Sequence, residues 1–199
     1  MADAVFIKSG MKLAYEMAGF DSKDRYTFTV GSTSPNLALH HQMGTSDEGD
    51  VEIAAAALEN ARCWLSISQG SVGTHDHKGI KGAVTKDLPP FLLSRAAFAD
   101  LKAKKKMTFR PQWADEKASE WTLDPKKASL HAVINGKKTS VPVLHALCKS
   151  ASGILEAELW VADDAVWPVI LKREESDDCY WLLKEAGTKV VASSGEDDD

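Results

Sequence analysis

Ala128-Ser-Leu-His-Ala-Val-Ile134, then Asn135-Gly136, then Lys138-Thr-Ser-Val-Pro-Val-Leu-His-Ala-Leu147 reads as two strands joined by a tight turn. Apolar residues recur at alternate positions on both arms, the period of a strand with one face buried. Asn-Gly supplies the positive φ angles of a two-residue hairpin turn, whose twist matches that of the flanking strands. Pro142 has no ladder donor, which predicts an edge strand or a bulge in the second arm.

The same signals extend in both directions. Downstream, Gly153-Ile-Leu-Glu-Ala-Glu-Leu-Trp-Val161 alternates, Asp163-Asp164 turns it, and Val166-Trp-Pro-Val-Ile-Leu-Lys172 returns with a second proline, Pro168. Asp178–Lys184 and Thr188–Val191 complete that run. Upstream lie Lys106–Arg110 and Glu120–Leu123, and before them Lys12–Met17 and Arg25–Val30 form a first hairpin around the polar connector Gly19–Asp24. Leu37–Met43 is a third strand, closed by the turn-rich Gly44–Asp50. The fold class expected is mainly β (α+β), an antiparallel meander forming a barrel or strongly curved sheet, because closure or a covering helix removes exposed edges.

Two short helices interrupt the strands, at about 54–62 and 94–104. Ala54-Ala-Ala-Ala-Leu-Glu-Asn-Ala-Arg62 is rich in helix formers but too short to be stable without a sheet beneath it. Ser94 is placed to cap the second helix, and Lys102, Lys104, Lys105 and Lys106 gather where the helix dipole is negative, which gives a solvated helix end rather than a phosphate site. No repeat and no linker divides the chain. Residues 1–192 are expected to form a single domain, with 193–199 a disordered acidic tail.

With 199 residues, 44% hydrophobic and 27% charged, the composition is that of a soluble globule and excludes collagen-like, membrane-spanning and disordered chains. The net charge is −5, of which Gly195–Asp199 carries −4, so the remainder is close to neutral and argues against a generic nucleic-acid binder. Met1–Lys8 has neither a basic segment nor an apolar run, which points to the cytoplasm. Cys63, Cys148 and Cys179 share no CxxC spacing and read as buried free thiols.

The densest chemical cluster is Thr74-His-Asp-His-Lys78, in a glycine-punctuated stretch between Gln69 and Pro90. On an extended segment His75 and His77 project to one side and Asp76 to the other, so the two imidazoles could share a metal ion, with zinc the natural choice. The segment resembles a fragment of the HxHxDH motif of the metallo-β-lactamase fold. That resemblance covers four residues and lacks the first histidine, and the chain lacks the layered α/β pattern, so no activity is carried over from it. Zinc needs three or four ligands and two are present, so the simpler reading is a polar loop and no cofactor.

His40-His41 sends one ring to each face of a strand, which supplies either a third ligand or one core histidine and one solvated one. His131 and His145 lie on the two arms of the Asn-Gly hairpin but are not opposite each other, since residue 131 faces about residue 140. No GxSxG, GxGxxG, P-loop or cysteine–histidine signature occurs. Of the six tryptophans, Trp121, Trp160 and Trp181 sit on alternating strands and read as core, whereas Trp113 and Trp167 stand beside prolines and are the candidate ligand contacts.

These observations favour a non-catalytic β-rich binding module for an apolar small molecule or a protein partner. Two other classes are carried forward. One is a metal-dependent hydrolase-type enzyme centred on the 74–78 loop. The other is an adaptor or immunity-type factor that receives a partner segment along a strand beside Pro142 or Pro168.

Overall fold

The computed structural model describes residues 7–19, 22–43, 47–64, 67–68, 71–72, 84–110, 118–150, 152–176 and 179–188. Strands β1 (Lys12–Gly19), β2 (Ser22–Ser32), β3 (Leu37–Met43) and β4 (Asp47–Ile53) lead to helix α1 (Ala55–Asn60), then to the short strands β5 (Ile67–Ser68), β6 (Ser71–Val72) and β7 (Val84–Thr85). Helix α2 (Arg95–Lys104) is followed by β8 (Lys106–Phe109), β9 (Ser119–Leu123), β10 (Ala128–Ile134), β11 (Lys137–Lys149), β12 (Leu155–Ala162), β13 (Ile170–Ser176) and β14 (Cys179–Gly187). None of the helices among these residues is long and apolar enough to cross a membrane.

The main sheet runs β7-β4-β3-β2-β1-β14-β13-β12-β11-β9-β8, and its contacts are antiparallel except for β4 with β7 and β10 with β14. Strand β10 leaves that path. It pairs with β11 from Ala128↔Val143 to Ile134↔Lys137, and its far end meets β14 at Val133↔Glu185 and Ile134↔Ala186. Strands β10 to β14 therefore form a closed five-strand barrel, and the remaining strands extend from it as a curved sheet.

Local chemistry makes the closure possible. Asn135 and Gly136 take φ of 49° and 77°, the left-handed pair that the two-residue turn demands. The Asn135 amide donates to the Ala186 carbonyl at 2.8 Å. Gly187 leaves room for this turn, since a Cβ there would lie 2.9 Å from Asn135 Oδ1 and 3.2 Å from the Asn135 nitrogen.

The core lies between the curved sheet and the segment that carries α2. Tyr15, Phe28 and Phe91 pack with ring centroids 4.5–6.1 Å apart, and the Tyr15 hydroxyl donates to the Ile170 carbonyl at 2.7 Å. Trp64 packs on Phe109 and Trp121 and donates from Nε1 to the Leu92 carbonyl. Helix α2 buries Ala97, Phe98 and Leu101, and Ser94 caps it by accepting from the Ala97 amide at 3.1 Å, as its sequence predicts. Lys102, Lys104 and Lys106 at its far end pair with Asp163, Asp100 and Glu120, a solvated helix end.

Several expectations need correction. The turn expected over Gly44–Asp50 gives way at Asp47 to β4, whose Gly49 and Asp50 stand opposite His41 and His40. Its Glu48 and Asp50 side chains are exposed, so backbone pairing overrides an acidic composition without burying charge. The strand expected from Val166 starts only at Ile170, because Asp164 Oδ1 accepts from the Val166 and Trp167 amides and holds a turn there. The first helix is shorter than expected, Ala55–Asn60 rather than 54–62.

Neither proline marks an open edge. Strand β11 is interior, between β10 and β12, and the Pro142 carbonyl accepts from the Asp163 amide just past the end of the β12 ladder. Beside Pro168 the chain covers itself: Leu93 donates to the Pro168 carbonyl, Ile170 donates to Phe91, and Leu92 bridges Val169. The docking strands anticipated for an adaptor are therefore already paired. Residues 73–83 and 189–199 lie outside the described residues, and with them the boundary expected between 192 and 193.

Candidate functional site

His75, His77 and Trp113 lie outside the described residues. Among those that are described, no group of three or more His, Cys, Asp or Glu could hold a metal ion. Trp167 is half-buried, with the Arg95 guanidinium 5.4 Å from its ring centroid, and Arg95 also donates to the Val166 carbonyl and pairs with Glu59. It fastens the start of α2 to the turn before β13. Of the adjacent histidines, His41 is buried and His40 pairs with Asp50 at 2.9 Å, the one-in, one-out arrangement that strand alternation dictates.

The register brings together residues that lie far apart in the sequence. His145 on β11 stands opposite Trp160 on β12, Trp160 opposite Lys172 on β13, Lys172 opposite Leu182 on β14, Leu182 opposite Glu16 on β1, and Glu16 opposite Arg25 on β2. Residues directly opposite share a face, so this is one row across six strands. Two residues along, Glu158 faces Glu174 and Glu174 faces Tyr180.

Side chains knit the two rows together. The His145 ring lies parallel to Trp160, 9° between planes and 4.5 Å between centroids, with Nε2 2.5 Å from Glu158 Oε2 and Nδ1 3.3 Å from Asp124 Oδ2. Lys172 Nζ sits 4.7 Å from the Trp160 centroid and 2.5 Å from Glu174. At the other end the Tyr180 hydroxyl donates to Glu16 at 2.7 Å, and Lys184 Nζ lies 3.5 Å from the same carboxylate.

Each end of the row opens into a cleft. One, of about 510 Å³, takes in Glu16, Arg25, Lys184 and Glu185 together with Tyr15 and Val133. The other, of about 690 Å³, contains His145 and Asp124. Its origin is topological. Strand β10 pairs with one edge of β11 as far as Val143, and β9 takes over that same edge from Ala146, so the two strands part around Leu144 and His145. The β9–β10 connector bridges the fork, with the Asp124 amide donating to the His145 carbonyl at 2.8 Å. Leu123, Pro125, Ala128, Pro142, Val143 and Leu144 give this cleft an apolar lining, and Lys105, Lys126 and Lys127 stand around it.

Comparison with protein families, curated proteins and solved structures found no match for the chain.

Asp124 and Glu16 are held ionised by donors. The Lys126 amide, followed by His145, keeps Asp124 below the usual carboxylate range, and the Tyr180 hydroxyl, followed by Lys184, does the same for Glu16. The reciprocal bond to Glu16 pushes the Tyr180 phenol up. Because Glu16 titrates lower in the folded chain than in the unfolded one, its contribution to stability is complete above the unfolded value, ~4.3. That contribution is lost as pH falls through the lower folded value. Glu16→Gln is accordingly expected to flatten the acid limb of the stability–pH curve while leaving the slope above pH ~6 unchanged; urea midpoints across that range check it, and an acid limb as steep as in the parent would refute it.

His145 does not face His131, as the hairpin spacing predicts: His131 stands opposite Ser140. The partner that gives His145 its setting is Trp160, on the next strand. The local signal available was a polar residue in line with the buried Val141 and Val143, just where burial on β11 passes to Ala146 and Cys148.

Proposed function

We propose that the protein is a non-catalytic binding module whose ligand is a small molecule seated in the cleft at the fork between β9 and β10. The observation that carries this reading is the cleft itself: about 690 Å³, walled by six apolar residues and seven polar or charged ones. This is within the ~300–1,000 Å³ range of ligand pockets. Two further points support it over the alternatives. Both nitrogens of His145 are engaged by carboxylates, which leaves neither turned to a substrate as a general base. The strand edges beside Pro142 and Pro168 are filled by the chain itself, which favours a small ligand over an added partner strand.

Binding at the fork should stabilise the fold by linkage, by ~2.7 kcal/mol at a ligand concentration one hundred times Kd. It should also alter tryptophan emission, because His145 in the cleft is stacked on Trp160. A thermal-shift and fluorescence screen against apolar and amphipathic small molecules tests the reading. Ligands that raise Tm and change the emission together are the expected result, with both responses lost in Leu144→Arg; a panel that moves neither would overturn it.

A further inference from the structure

We propose that the ligand of the fork cleft is an amphipathic organic anion, with an apolar body against Leu123, Val143 and Leu144 and an anionic head held by Lys126 and Lys127. This rests on the reading of the fork as a small-molecule site and adds the chemical class of its occupant. Two carboxylates and three ammonium groups surround the cleft. Asp163 is taken by Lys102 Nζ at 2.6 Å. Asp124 accepts from the Lys126 amide at 3.0 Å, lies 3.3 Å from His145 Nδ1, and is also attracted by the Lys126 ammonium. The Lys105 ammonium is turned back to the Lys102 carbonyl at 2.9 Å. Lys126 and Lys127 are exposed and make no ion pair among the described residues. Three ammonium groups against two carboxylates make the cleft wall net positive, and Lys126 and Lys127 sit on a connector that a hydrogen bond between Asp124 and His145 anchors at the mouth.

An apolar wall beside two exposed ammonium groups matches a hydrocarbon chain or ring system that ends in a carboxylate, since the head gains charge-assisted hydrogen bonds while the body leaves water. A neutral amphiphile would gain only the second of these, and a cationic one would meet repulsion.

The test compares decanoate, decanol and decyltrimethylammonium, each below its aggregation concentration and at low ionic strength, by calorimetric titration and tryptophan emission. Decanoate is expected to bind roughly tenfold more tightly than decanol, the size of one hydrogen bond to a charged group, and the ammonium compound not to bind. Lys126→Gln with Lys127→Gln should remove that advantage and leave decanol affinity unchanged; both positions are exposed, so the fold should be retained. Equal affinity for decanoate and decanol, binding of the cation, or an unaltered decanoate affinity in the double variant would each overturn the assignment of an anion while leaving the site in place. Failure of all three compounds to bind would overturn the assignment together with the small-molecule reading on which it rests.

Discussion

Trp64→Ala is expected to lower stability by about 3–5 kcal/mol, the usual range for removing a large aromatic side chain from a core. Trp64 is 1% exposed, its ring centroid is 4.5 Å from that of Phe109, and its Nε1 donates to the Leu92 carbonyl at 2.7 Å. A second loss follows from Arg173, a buried charge whose guanidinium lies 4.8 Å from the Trp64 ring centroid and pairs with Glu175. Without the ring, that cation faces a cavity rather than an aromatic face, and both the packing and the cation–π attraction go. A domain whose total stability is ~5–15 kcal/mol would be left near the edge of folding. Urea denaturation measures the effect. Trp64→Phe should lose distinctly less, because it keeps a ring beneath Arg173; a Trp64→Ala loss under ~1 kcal/mol would contradict the packing described.

Gly187→Val should open the barrel at its seam. The first side-chain carbon would stand 2.9 Å from Asn135 Oδ1 and 3.2 Å from the Asn135 nitrogen, so the hairpin turn has to withdraw. Withdrawal breaks the bond from the Asn135 amide to the Ala186 carbonyl and strains the pairs Val133↔Glu185 and Ile134↔Ala186. Overpacking of this kind costs about 1–3 kcal/mol. The distinguishing readout is hydrogen exchange: the Asn135 amide should lose protection by more than the global destabilisation explains, while amides between β2 and β3 follow the global change. Protection at Asn135 that matches the parent would show that the turn is not docked on β14.

The hairpin at Asn135-Gly136, the Ser94 cap and the presence of one inward ring in the His40-His41 pair were legible because each is settled within a few residues, by turn chemistry, capping or alternation. Strand β4 was not, since Asp47-Glu-Gly-Asp50 has turn composition and becomes a strand only because β3 offers it an edge. The closure of β10 on β14 left no local mark either. It joins residues about fifty positions apart through a two-residue parallel contact, and the only trace is a glycine whose importance depends on where the hairpin lands. The candidate site has the same origin. Asp124, His145, Glu158, Trp160 and Lys172 sit on a connector and three strands, and no spacing rule ties them together until the register is known. Trp167 was chosen for its neighbouring proline, yet it lines neither cleft described above.

The most direct examination of the fork as the binding site is a map of backbone amide chemical shifts during titration with decanoate. Perturbations concentrated on Leu123–Ser129 and Val143–His145, with smaller ones passing to Trp160, are the predicted result. Perturbations centred on Glu16 and Lys184 at the opposite end of the row, or scattered evenly over the sheet, would contradict it.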